Sequence, residues 1–230
     1  MNVLPWTHTT PWRRPLVLLF TTLLLLAAPG CSLFVMAGKV LFGDPEIPAE
    51  FRKTTGTDLT ESDDRVVIIA TAPHRLLSEV PALERDIADR VTRILEARNV
   101  QVVPAGDVAS WFDDNGEWGD YSEMAQEFDA TYVIHIELRE FDYRVPQSPH
   151  LLQGKSEGRI TVHKVAQESA ESAQPVTMVF DHNFRLKYPE SYPIAEETRS
   201  AKLFIEGFLD RTATNISQRF HDYRMSDTVF

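Results

Sequence analysis

Four of the five residues in Val66-Val67-Ile68-Ile69-Ala70 are β-branched, and all five are apolar. A short continuous run of this kind is a strand buried on both faces, the type found at the centre of a sheet covered by helices. The neighbouring segment fits that placement. Leu83, Ile87, Val91, Ile94 and Leu95 recur at helical spacing, with Glu84, Arg85, Asp89 and Arg93 on the opposite side. Ser78 is placed to cap that helix and Pro81 to sit in its first turn. Asn99 tolerates left-handed backbone and marks the stop. Val100 to Val103 is a second short strand, ended by Pro104. Two such strands joined through a helix pair in parallel with a right-handed crossover.

Further along, Asp107 is expected to cap a short helix through Trp111 and Phe112, and Asp113-Asp114-Asn115-Gly116 to turn the chain. Asp120 or Ser122 starts another helix, carried by Tyr121, Met124, Ala125 and Phe128. Residues 131 to 143 alternate as a long strand, with Tyr132, Ile134, Ile136 and Leu138 on one face. Beyond Glu140 the parity shifts to Phe141 and Tyr143, which predicts a bulge or a sheet edge. Strands over 151–166 and 176–187 come next, joined by a small polar loop, and complete a three-stranded antiparallel meander. A last helix is expected over 195–223, with Leu203, Phe204, Phe208, Ile216 and Phe220 as its buried stripe. The fold class is α/β with α+β character: a β-α-β start, a meander and a long closing helix on one mixed sheet. Residues 65–230 form a single domain, long enough for one sizeable core.

The N-terminus reads as an address. Arg13 and Arg14 precede an apolar run of 13 residues, Leu16 to Ala28. That length suits a secretory signal and is short for a membrane span of about 20 residues. Pro29 and Gly30 break the run before Cys31, the one cysteine of the chain. An uncleaved anchor over 16–37 is the alternative, with Pro29 kinking it. Residues 38 to 64, punctuated by Gly43, Pro45, Pro48 and Gly56, read as a tether from which Ile47 and Phe51 can still pack down on the domain.

A formal charge of -11, from 23 basic and 34 acidic residues, excludes a general nucleic-acid binder. It also excludes simple electrostatic docking on anionic lipid. One cysteine rules out an intramolecular disulfide and a multi-cysteine zinc site. No Gly-x-Ser-x-Gly elbow and no Gly-rich phosphate loop is present. His135, His163 and Glu137 fall on strands that adjacent pairing can bring together as a His-His-carboxylate group, against a plain mixed strand face. Asp113, Asn115 and Glu117 alternate like half a calcium loop, but Trp118 stands where glycine is needed, so an acidic turn is the better reading. Trp111, Trp118 and Tyr121 cluster around that turn as core plugs or as a partner surface. No catalytic residue, metal or cofactor is assigned.

Ala28-Pro29-Gly30-Cys31 resembles the bacterial lipobox, in which the cysteine is lipidated and becomes the first residue of the mature chain. The resemblance implies residues 1–30 as a lipoprotein signal peptide, Cys31 as the lipid site, and 31–64 as a lipidated N-terminus and tether. Ser32 is not the aspartate that retains some lipoproteins at the inner membrane, which favours the outer one. Phe128-Asp129-Ala130-Thr131-Tyr132-Val133-Ile134, entering a long strand, together with the meander over 154–165 and 176–186, resembles the curli secretion-channel lipoprotein family and the amino-terminal domain of TolB. That likeness implies an α/β fold akin to anticodon-binding domains and a role in binding and assembly rather than catalysis. The expected function is therefore a lipid-anchored periplasmic module that meets an envelope protein or a second copy of itself. An envelope hydrolase or a small-ligand binder is the alternative.

Overall fold

Val66, Val67, Ile68 and Ile69 are fully buried in strand β2 (Arg65–Thr71), which lies inside a six-stranded sheet of order β3 (Gln101–Val102), β2, β4 (Tyr132–Val145), β5 (Ser148–Val165), β6 (Val176–Tyr188), with β7 (Ile194–Ala195) also on β5. The computed structural model describes residues 45–116, 120–166, 176–224 and 226. Strand β2 pairs in parallel with β3 (Gln101–Val102) on one side and β4 (Tyr132–Val145) on the other. Antiparallel pairing then joins β4 to β5 (Ser148–Val165) and β5 to β6 (Val176–Tyr188). Strand β7 (Ile194–Ala195) pairs with Leu151 and Leu152 of β5. Two short strands, β1 (Glu46–Ile47) and β8 (Tyr223–Arg224), lie outside this sheet. The mixed α/β architecture expected from the sequence is the one observed.

Helices cover both faces. On one face, α1 (Glu50–Thr55), α3 (Leu83–Glu96) and α6 (Ala201–Ser217) bury Phe51, Leu83, Ile87, Val91, Phe204, Phe208 and Ile216 against Ile68, Ile134, Ile160 and Val162. On the other, α4 (Ala105–Asn115) and α5 (Tyr121–Glu127) set Val108, Met124 and Ala125 against Val67, Ile69, Val133 and Val165. The remaining helix, α2 (His74–Glu79), sits in the connection from β2 to α3. Helix α3 ends at Glu96, and Asn99 takes a φ of 65° to turn the chain into β3, as its side chain allows. Register slips between Leu138 and Glu140 opposite Gly158 and Glu157, so Arg139 is the extra residue of the bulge that the parity shift signalled.

Several boundaries differ from expectation for identifiable reasons. Ser78 caps nothing. It lies in α2, where its hydroxyl donates to the Arg75 carbonyl at 2.7 Å, because Pro81 holds Val80 extended and delays α3 to Leu83. Asp107 sits in the first turn of α4, whose cap position is Pro104. The last helix starts at Ala201, capped by Ser200, whose side chain accepts the Leu203 N–H, because Ile194 and Ala195 are drawn into pairing with β5. Leu203 is 60% exposed rather than part of the buried stripe.

The tether is the largest revision. The compact unit runs from Ile47 to Tyr223, and its core includes Phe51 and Leu59, both at zero exposure. The Phe51 ring meets Tyr132, Phe180 and Phe220 at centroid distances of 5.7, 5.7 and 5.8 Å. At the same end, Asp222 accepts the Ala49 N–H at 2.9 Å and an Arg52 guanidinium bond at 2.6 Å. Phe51 N–H donates to the Arg219 carbonyl at 2.9 Å. Residues 47–64 thus belong to the folded domain. The expected signal peptide over residues 1–30, Cys31 and the first part of the expected tether lie outside the described residues.

Candidate functional site

Alternation along β4 turns His135 away from Ile134 and Ile136, onto the face that carries α5. Helix α5 is fixed at its start by Asp120, which accepts the Ser122 hydroxyl at 2.7 Å and its N–H at 3.4 Å. This cap points Tyr121 at the sheet. The Tyr121 hydroxyl lies 2.9 Å from His135 Nδ1, and His135 Nε2 lies 2.8 Å from the Thr71 hydroxyl at the end of β2. Either neutral tautomer satisfies both contacts, because each hydroxyl can donate or accept. His163 on β5 stacks on the Tyr121 ring with centroids 3.9 Å apart, and its Nε2 meets the Thr161 hydroxyl at 3.2 Å.

Burial holds both imidazoles below their ordinary pKa. Glu137 opposes the effect at His135, and Asp120 opposes it at His163. Burial likewise pushes the Tyr121 phenol up. The group is a neutral, mutually bonded array between three strands and a helix.

Thr71 also borders a cleft of about 580 Å3 at the carboxyl end of β2. Its walls are α3, through Glu84, Arg85 and Ala88, and α4, through Ala105, Val108, Ala109, Phe112 and Asp113. The Glu84 carboxylate accepts the Ala72 N–H at 2.6 Å and closes one end. The chain leaves β2 toward β3 on one side and returns as β4 on the other. Carboxyl ends of parallel strands at such a reversal are where open α/β sheets bind ligands.

The residues singled out in the sequence fall differently. Tyr121 is in the array. Trp111 is half-buried on α4, edge-on to Phe112 at 5.4 Å, beside the second core. Trp118, Glu117 and Cys31 lie outside the described residues. Asp113 and Asn115 are in the last turn of α4, where the Asn115 amide donates to the Trp111 carbonyl at 2.9 Å, so that stretch is helix and not an ion-binding loop. Glu137 is turned to Arg139 at 3.1 Å. Among the described residues no three His, Cys, Asp or Glu side chains converge for a metal. Thr71 was not singled out, and Glu84 was read only as part of a polar helix face; the signal available for Thr71 was its place directly after the buried run.

No protein-family model matches the chain, and no curated protein matches it. Among solved structures it is similar to a PelC dodecamer from Paraburkholderia phytofirmans, at 13% identity over 77% of this chain and 97% of that one, with a TM-score of 0.44. It is also similar to the lipoprotein GNA1162 from Neisseria meningitidis, at 12% identity over 66% and 96%, with a TM-score of 0.38. A third likeness is to the hypothetical protein CT253 from Chlamydia trachomatis, at 11% identity over 69% and 98%, with a TM-score of 0.40.

Proposed function

We propose that this chain is a bacterial envelope lipoprotein, anchored by lipid on Cys31 at the outer membrane, with a non-catalytic periplasmic domain that works by binding and assembly. No helix among the described residues is long and apolar enough to cross a membrane. The apolar run ahead of Cys31 is the feature that supports anchoring, and two acyl chains near one cysteine supply the strength that stable attachment needs. Confinement to a layer raises the domain's effective concentration for its partner.

The observation that carries the binding reading is the edge of β6. Of its 13 residues 12 pair with β5 on one side, Val179 being skipped at a bulge, and among the described residues the sheet order places no strand on the other. An edge of that length is a template for another strand. A second copy fits it. Antiparallel pairing about Asn183 sets Asp181 opposite Arg185 of the second copy, twice by symmetry, on the exposed face of the strand.

Two experiments test this reading. Intact mass and membrane fractionation of the protein beside Cys31→Ala are expected to show an acylated chain beginning at residue 31 that leaves the membrane on mutation. A mass that retains Met1 overturns the anchor. Sedimentation of the domain is expected to show self-association that Asp181→Arg weakens and Asp181→Arg with Arg185→Asp restores. A monomer at every concentration overturns assembly through β6.

A further inference from the structure

We infer that the hollow at the carboxyl end of β2 is a binding site for a free α-amino acid with an apolar side chain. This goes beyond the tethering and the β6 edge and holds whether or not the chain is lipidated or self-associates.

The hollow exists because β3 is only two residues long. Its register with β2 is Arg65↔Gln101 and Val66↔Val102, closed by the Val103 N–H donating to the Val66 carbonyl at 2.9 Å. Pro104 comes next, has no N–H to give, and turns the chain into α4. Strand β4 meanwhile stays beside β2 as far as Thr71↔Glu137. Helices α3 and α4 pack against one another, so the space past β3 is bounded and suits a compact molecule, not a further strand. Its volume of about 580 Å3 falls among those of small-molecule sites, roughly 300–1,000 Å3.

The strand edge supplies the polar contacts. Arg65 gives its carbonyl to Thr131 on the β4 side, whereas Val66 gives its carbonyl to Val103 on the β3 side. Ala70 and Ala72 share the parity of Val66, so their N–H groups turn toward the hollow. The Ala72 N–H already holds a carboxylate there, that of Glu84 at 2.6 Å. Ala70 is the next residue along that edge, and among the described residues no backbone group bonds its N–H or C=O from this side. The ammonium and carboxylate of an α-amino acid flank one Cα, as the N–H and C=O of Ala70 do. The ligand carboxylate accepts from the Ala70 N–H, as Glu84 does from Ala72, and the ligand ammonium donates to the Ala70 carbonyl. That is the reciprocal pair two facing residues make in an antiparallel ladder.

Charge selects the same ligand. Arg85 on α3 and Asp113 on α4 border the hollow from its two walls, and among the described residues neither side chain has a hydrogen bond or an ion pair. A simple anion or cation entering there meets one like charge, whereas a zwitterion meets a partner for each end. The rest of the lining is apolar. Val108 and Phe112 offer a seat for the side chain, and Ala88 and Ala109 are small enough to leave it room.

Calorimetric titration of the full-length protein in detergent tests the site, with L-leucine, L-methionine and L-phenylalanine as probes. At least one is expected to bind saturably. N-acetylation, which removes the ammonium, and amidation, which removes the carboxylate, are each expected to weaken that ligand about tenfold, as loss of a charge-assisted hydrogen bond does. Arg85→Gln and Asp113→Asn, at exposed positions, are each expected to weaken it about threefold with the unfolding midpoint unchanged. Ala109→Trp, which fills the hollow, is expected to abolish binding. No binding of any of the three, a blocked form that binds as well as the free amino acid, or an affinity that survives Ala109→Trp or both charge substitutions each overturns the proposal.

Discussion

The phenol ring of Tyr121 lies flat on the imidazole of His163, with ring centres 3.9 Å apart and planes 16° from parallel. The same phenol holds His135 Nδ1 at 2.9 Å. One side chain from α5 thus ties β4 and β5 together through two different interactions, and conservative substitutions separate them.

Tyr121→Phe keeps the stack and removes the hydroxyl. A cost of about 1 kcal/mol is expected, the usual net value of one hydrogen bond. Tyr121→Ala removes both and opens a void beside Met124, for which about 3 kcal/mol is expected. Urea unfolding curves measure both, and equal costs for the two variants refute the separation.

The two imidazoles give stability a pH dependence whose sign is set by burial. Both have folded-state pKa values below that of an unfolded histidine, about 6.5. Between the folded and unfolded values the unfolded chain binds more protons. Stability is therefore fully present above about pH 6.5 and is lost as pH falls through the folded values. The thermal midpoint is expected to drop between pH 7.5 and 5.5, and His135→Gln is expected to flatten that drop. The lowered carboxylates of Asp58, Glu137 and Asp181 act in the same direction at more acidic pH.

Phe51→Ala tests where the domain begins. With its ring fully buried against three aromatic neighbours, a loss of about 3–5 kcal/mol is expected. A chain starting at Arg65 is expected to unfold at lower denaturant than one starting at Ile47. Equal midpoints would return residues 47–64 to the status of a tether.

Gly158 stands where the bulge at Arg139 brings strands close. A methyl group there would sit 2.6 Å from the Phe184 ring and press on the Glu137 carbonyl, which is backbone and cannot swing away. Gly158→Ala is expected to cost about 1–3 kcal/mol. At Gly56, nothing lies within 4 Å of an added methyl, and its φ of 76° alone opposes alanine. Parallel denaturation of the two variants separates crowding from backbone strain.

The elements that were legible in the sequence are those whose local chemistry and burial agree. The run at Val66 could only be a central strand, Asn99 was a ready left-handed stop, and Asp120 capped α5. The bulge announced itself as a change of parity at Glu140. Phe51 packs down on the domain as it was expected to be able to, against Tyr132 and Phe220 far along the chain, whereas Leu59 was missed because it stands singly among Gly, Thr and Asp, with no period to declare it. The array was legible in part, since the adjacent strands expected to bring His135 and His163 together do pair, and both rings meet Tyr121. Thr71, Tyr121 and His135 share no spacing that predicts their meeting, and only the parallel register Ile69↔His135 brings them together. The opening beside β2 reflects the shortness of β3, which Val100-Gln101-Val102-Val103 did not foretell.

Asp222 holding both Ala49 and Arg52 has a mechanical consequence. The domain's first and last segments are fastened to each other before either reaches the sheet. A pull on the chain ahead of Ala49 meets that clasp and the Phe51–Arg219 bond before it reaches the strands. The ends lie close enough that a short linker could join them and new termini be cut elsewhere. A fold fastened in this way is loaded first where its two ends meet.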